Sequence, residues 1–166
     1  YPAGKVSKTQ EKQFTTLGDN ITALKVDGTF DDCQALVKRA FQDGELSRKA
    51  KLSSANSINI GRLLPQSIYY FWSAAHIKAR FGKAPIVCVP SGNFGNICAG
   101  LCADLMGAPI EKFIAAVNAN AVISNFVETG KYVPKPSKST LSNAMDVGRP
   151  SNWERIQVLF NNDYEK

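Results

Sequence analysis

The stretch Val87-Cys88-Val89-Pro90-Ser91-Gly92-Asn93-Phe94-Gly95-Asn96 constrains this chain most, because it forces three backbone states in a fixed order. Ile86 to Val89 is an unbroken apolar run between Pro85 and Pro90, the pattern of a central strand buried on both faces. From Ile97 onward, Ile97, Leu101, Leu105 and Met106 recur at helical spacing among Ala99, Gly100 and Ala103, and the run stops at Gly107. Between the two lie Gly92 and Gly95, which adopt backbone conformations closed to other residues. The order is strand, glycine loop, helix.

That order has a chemical use. The first turn of a helix leaves backbone N–H groups without partners and carries the positive end of the helix dipole, so an anion fits there. Ser91, Asn93 and Asn96 add uncharged hydrogen-bonding groups, and a phosphate is the anion that suits such a loop. The same residues also suit a tight strand-to-helix turn, in which the glycines serve geometry alone and Asn96 is the helix N-cap. Neither G-x-G-x-x-G nor G-K-[ST] is present.

With 166 residues, 44% of them hydrophobic and 20% charged, the chain is globular in class and long enough for one core or one and a half domains. No run approaches the roughly 20 apolar residues of a membrane span, and no segment has the layout of a signal peptide. A soluble, cytoplasmic protein is expected. The net charge of +6 raises a nucleic-acid reading, but its carriers are scattered. Lys5, Lys8 and Lys12 lie near the start, Lys38, Arg39, Arg48, Lys49 and Lys51 around a helix end, and Lys131, Lys135 and Lys138 in a loop. The expectation is a solvated surface and no nucleic-acid partner. Cys33, Cys88, Cys98 and Cys102 sit in apolar patterns and read as buried thiols of a reducing compartment. Cys98 and Cys102 share a helix face but have no further ligands nearby, so no metal site is expected.

Two partial α/β units are expected, residues 1–51 and residues 52–166. In the first, Tyr1 to Gly4 reads as a strand's tail, Ser7 to Leu17 as a short helix, and Ile21 to Val26 as an alternating strand. Thr29 or Asp31 then caps a helix whose apolar face holds Cys33, Leu36, Val37, Ala40 and Phe41, stopped at Gly44. The polar run Lys51 to Asn59 is the crossing. In the second unit a packing helix spans Ile60 to Phe81 and stops at Gly82; its Tyr69, Tyr70 and His76 read as structural groups. Phe113 to Val117 reads as a strand. Asn118 and Asn120 follow it, either as ligand groups at the strand's C-terminal end or as the turn and cap of a helix from Ala121 to Glu128. Tyr132 to Ser139 is a proline-punctuated loop, and a last helix starts at Trp153 and runs into Asn161 to Lys166. Both ends of the chain read as cut.

Five segments, in order, carry a resemblance: Gly28 to Gln34, Ser54 to Asn59, Arg62 to Gln66, Pro90 to Asn96 and Thr140 to Asp146. Together they resemble the signature segments of threonine synthase, a fold-type-II pyridoxal-phosphate enzyme family related to the tryptophan synthase β fold. The resemblance implies parallel open sheets with flanking helices in two domains, and conversion of O-phospho-L-homoserine and water to L-threonine and phosphate. It implies pyridoxal 5'-phosphate as cofactor, bound by Ser91, Gly92, Asn93, Phe94, Gly95 and Asn96. It also implies a cleft bordered by Asn56, Ser57, Asn59, Ser142 and Asn143. The family's Schiff-base lysine lies upstream of the segment where this chain begins, so no lysine here inherits that role. The chain then reads as an internal fragment, inactive alone and dependent on the rest of its parent chain. The rival readings are another enzyme of the same fold, of serine/threonine deaminase or cysteine synthase type, and a non-catalytic domain that binds a phosphate-bearing ligand.

Overall fold

A computed structural model describes residues 1–57 and 59–161; Ile58 of the Ser54-to-Asn59 segment and Asn162 to Lys166 of the expected closing helix lie outside them. The chain divides into two units, Tyr1–Ser53 and Ser54–Lys166.

In the first unit, Ser7 caps α1 (Lys8–Thr15) by accepting from the Gln10 amide at 3.2 Å. α2 (Phe30–Gln42) opens with a reciprocal capping box. The Asp32 amide donates to Thr29 Oγ1 at 3.3 Å and the Thr29 amide donates to Asp32 Oδ2 at 2.7 Å. The bond from the Thr29 amide, joined by one from its hydroxyl, holds the Asp32 carboxyl below its ordinary range. α2 stops just before Gly44, at Asp43 in extended backbone (φ −76°, ψ 106°), and the Asp43 carboxylate, accepting from the Glu45 and Leu46 amides at 2.9 and 3.0 Å, starts a new short helix, α3 (Gly44–Lys49). The strand expected over Ile21 to Val26 is not formed. Only a single parallel bridge joins Pro2 to Val26, through Ala3 N–H to Val26 O and Val26 N–H to Tyr1 O, each 2.8 Å. Ile21 and Leu24 of this run are left exposed, Leu24 by 71%, and one bridged pair alone does not propagate into a sheet. The apolar face expected on α2 is likewise uncovered at Leu36, Val37 and Phe41.

In the second unit a 3₁₀ turn, Ile60–Arg62, leads into α4 (Leu64–Phe81), with Pro65 in its first turn and Gly82 closing it at φ 70°. β1 (Ile86–Pro90), α5 (Gly95–Leu105) and β2 (Lys112–Ala116) form a parallel strand-helix-strand unit, with Ile86 opposite Lys112 and Pro90 opposite Ala116. α6 (Val122–Thr129) and α7 (Trp153–Leu159) complete it. The core joins Leu63 and Tyr70, Val89, then Phe94, Ile97, Cys98, Ala99 and Ala103, to Ile123, Phe126, Trp153 and Ile156.

β1 is covered on one face rather than two. Val89 is buried and Val87 half-buried, while Ile86 and Cys88 point to the open side of a sheet that has two strands among the described residues. α5 buries its small residues along with Ile97: Ala99 and Ala103 are fully buried, whereas Leu105 at its end and Met106 after it, expected on the apolar face, are exposed. The reason is closeness. A Cβ on Gly100 would lie 2.7 Å from Phe113 Cε1 and 2.9 Å from Tyr70 Cε1, so the helix rests directly on β2 and α4. Of the four thiols, all free, only Cys98 is buried; Cys88 is exposed and Cys33 and Cys102 are intermediate. Burial first, then the Cys102 thiol, pushes Cys98 up to about 11. Among the described residues no cluster of His, Cys, Asp and Glu suits a metal ion, and no helix is long and apolar enough to cross a membrane.

Gly100→Ala is expected to destabilise the unit by about 1–3 kcal/mol through overpacking, read as a lower denaturant midpoint. An unchanged midpoint would contradict the close packing of α5 on Phe113 and Tyr70.

Candidate functional site: an amide cradle at the start of α5

Each side chain of the glycine loop is tied to a different neighbour. The Ser91 amide donates to Ala116 O at 2.8 Å and its hydroxyl donates to Val89 O at 2.9 Å, so this buried residue finishes the β1–β2 pairing. At Gly92 any side chain is excluded by main chain: a Cβ would stand 2.6 Å from Met145 Cα and 2.8 Å from Met145 O. Asn93 Oδ1 accepts from the Ser151 amide at 2.6 Å and the Ser151 hydroxyl at 3.0 Å, and its Nδ2 donates to Ser57 Oγ at 3.3 Å. Phe94 holds φ 59°, in the left-handed region, where a bulky residue costs about 1–2 kcal/mol. Burial of its ring, edge-on to Trp153 at 6.1 Å, offsets that cost.

Asn96 is not the N-cap of α5. That position is Phe94, which makes no side-chain cap bond. Asn96 instead ties the helix to α4: its Oδ1 accepts from Tyr70 Oη at 2.6 Å, and its Nδ2 donates to Gln66 Oε1 at 2.9 Å and to Tyr69 Oη. Burial, with the neighbouring Tyr69 as a lesser cause, pushes the Tyr70 phenol up to about 12, so it stays a donor. His76 lies against Trp72, its Nδ1 3.0 Å from Trp72 O and its ring 4.2 Å from the indole. It and the two tyrosines are packing and clamping groups.

With the side chains so engaged, the backbone amides of residues 93–97 donate to no acceptor among the described residues. They form the start of a helix beside a cavity of about 320 Å³, lined by residues 55–57, Arg62, Gln66, Pro90, residues 92–96, Ala144 and Met145. Arg62 is the single charged residue on that lining, and it is a cation. An open helix N-terminus and an arginine on one lining, with no carboxylate beside them, make the electrostatics of this cavity suit an anion.

Of the residues singled out from the sequence, Gly92 to Asn96, Asn56 and Ser57 line this cavity. Ser91 sits behind it. Asn59 caps the 3₁₀ turn, accepting from the Gly61 amide and donating to Ser54 O, both at 3.0 Å. Ser142 and Asn143 are off the lining, although the next two residues, Ala144 and Met145, are on it. Of the alternatives left open for Asn118 and Asn120, the turn is formed, the Asn120 amide donating to Asn118 Oδ1 at 2.9 Å, but neither caps α6, which is preceded by Ala121 and has no side-chain cap. Asn118 Nδ2 reaches Thr140 Oγ1 at 2.9 Å, Ser142 Oγ at 3.0 Å and Asp146 Oδ1 at 2.9 Å, while Asn120 Nδ2 reaches Asp146 Oδ1 at 3.1 Å and Lys138 O at 2.9 Å. The Thr140 amide closes this knot on Asp146 Oδ2 at 2.9 Å. The knot hangs the Thr140-to-Asp146 segment from the end of β2, which delivers Met145 to Gly92.

Sequence reasoning missed Met145, Arg155 and Asn152. Asn152 has no exposed surface at all. The motif Pro150-Ser151-Asn152-Trp153 looks like an ordinary helix entry, and only the fold reveals that its amide faces inward.

No protein-family model matches the chain. It is 52% identical over 160 residues to the threonine synthase of Escherichia coli K12, covering 96% of this chain and 37% of that protein. It is 42% identical over 167 residues to that of Saccharomyces cerevisiae, covering 99% and 32%. The crystal structure of the E. coli threonine synthase superposes with a TM-score of 0.91 at 51% identity over 98% of this chain and 38% of that one. A PLP-bound threonine synthase from Brucella melitensis gives a TM-score of 0.78 at 42% identity, over 99% and 36%. The fold is thus that of part of a fold-type-II α/β enzyme. More narrowly, the chain is homologous to a segment of the threonine synthases and spans little more than a third of these relatives' length.

Because the folded Tyr70 keeps its proton to about pH 12 while an unfolded tyrosine releases it near 10.0, the native state holds more protons between those values. Stability contributed by Tyr70 is therefore full below pH 10.0 and lost as pH climbs toward about 12. Tyr70→Phe is expected to flatten that part of a pH–stability curve. An unaltered slope would contradict a buried, clamped phenol.

Proposed function

We propose that this chain is the cofactor-phosphate segment of a cytoplasmic threonine synthase, which uses pyridoxal 5'-phosphate to convert O-phospho-L-homoserine and water to L-threonine and phosphate. The observation that carries the reading is the run of unpartnered amides at residues 93–97, opening on a lining without a carboxylate.

The residues present fit a phosphate monoester. The amides supply several donors to one small anion, Gly92 and Gly95 bring main chain to its surface, and Asn56, Ser57 and Gln66 add neutral polar edges. The bound cofactor would supply the electron sink for carbanion chemistry at the substrate amino acid. This chain's part is placement. The amides of Phe94 to Ile97 hold the phosphate, the Asn96 clamp onto Tyr70, Tyr69 and Gln66 keeps α5 from turning, and the wall of Ala144 and Met145 limits where the ring lies. Arg62, on the lining of the same cavity, offers a guanidinium to the anionic groups of the phosphorylated substrate. No lysine stands on the lining among the described residues, so the covalent anchor of the cofactor is supplied by the remainder of the enzyme, and the isolated chain is inactive.

In the complete protein that carries this chain, phosphate and threonine are expected to leave O-phosphohomoserine together and only with pyridoxal phosphate present. Gly95→Asp is expected to weaken cofactor binding by a factor of about 100 or more, because a carboxylate beside the phosphate repels it and a Cβ there already presses Ser57 Cβ at 3.1 Å. Cofactor binding without product release would discard the substrate, and a Gly95→Asp protein with normal cofactor affinity would discard the cradle.

A further inference from the structure

We propose that Asn152 is a positioning residue that aims the cradle's amides at the phosphate, an inference that rests on the cradle being the phosphate site. Asn152 lies at the entry to α7, distant in sequence from the loop and fully buried beneath it. Its side-chain orientation is fixed by chemistry. Arg155 Nη1 donates to Asn152 Oδ1 at 2.6 Å, and a guanidinium has only donors, so the oxygen must face it and the NH₂ must face the other way. Arg155 is itself held by a bond from Nη1 to Ser57 O.

The NH₂ so directed donates to Ser57 Oγ at 2.9 Å and to the Asn93 carbonyl at 3.0 Å. The second bond matters for the ligand. A trans peptide places its C=O and the following N–H on opposite sides, so a carbonyl pinned inward by Asn152 turns the Phe94 N–H outward, to the cavity side. The same pin holds Phe94 at its positive φ, from which Gly95, Asn96 and Ile97 enter the helix with their amides open. Asn152 touches no reacting atom. It keeps the peptide flip that makes the loop a receptor.

The test compares two ligands on the complete protein: pyridoxal phosphate and pyridoxal, the same ring without the phosphate. Wild type is expected to bind the phosphorylated form far more tightly. Asn152→Asp keeps the shape but sets an acceptor against the Asn93 carbonyl, and should cut that preference about tenfold while leaving pyridoxal affinity within about twofold. Should Asn152→Asp fail to fold, Arg155→Met, which frees the amide to rotate, is expected to reduce the preference in the same direction. An unchanged preference in a folded variant, or an equal loss for both ligands, overturns the positioning role, since a merely structural residue would weaken both alike. A wild type without preference would instead overturn the phosphate reading, and the role of Asn152 with it.

Discussion

Everything around residues 93–97 is arranged so that five consecutive amides stay without partners. Every helix start leaves amides open in this way, and whether they face a ligand depends on how the turn before the helix is held. Here the turn is held from several directions. Asn96 is held by α4, Asn93 by Ser151 and Ser57, the Asn93 carbonyl by Asn152, and Gly92 by the main chain of Met145. The loop's own side chains thus act as guy lines, and the backbone amides are left facing the cavity.

The rest of the second unit supports those anchors. α5 lies against β2 and α4 closely enough that its middle residue must be Gly100, which fixes the height of the helix start above the sheet. The Asp146 knot ties the segment after Lys138 to the end of β2 and thereby sets the wall facing Gly92. Phe94, Phe126 and Trp153 pack edge to face, at 6.1 and 5.2 Å, so that α7 brings Asn152 and Arg155 beneath the loop. Polar anchoring and apolar packing meet at one turn of chain.

Local signals made the strand, the glycine loop and α4 to α6 legible in the sequence: prolines bounding β1, Gly82 after α4, and helical spacing after Asn96. What misled was any reading that needed a partner. Ile21 to Val26 has a strand's alternation but only one bridged neighbour. Asn96, Asn118 and Asn120 sit where caps belong, yet each bonds a residue 22 or more positions away, such as Tyr70 or Thr140. An asparagine carries no mark of whether its amide serves its own turn or a distant one, and Asn152 passed unnoticed for the same reason.

The claim at the centre is that main-chain amides, and not a lysine or arginine of this chain, hold the cofactor's phosphate. A crystal structure of the complete protein with pyridoxal phosphate bound tests it most directly. Phosphate oxygens about 2.7–3.2 Å from the backbone nitrogens of Phe94 to Ile97 are expected. A phosphate seated on Arg62, or outside the cavity with those amides facing water, would contradict it.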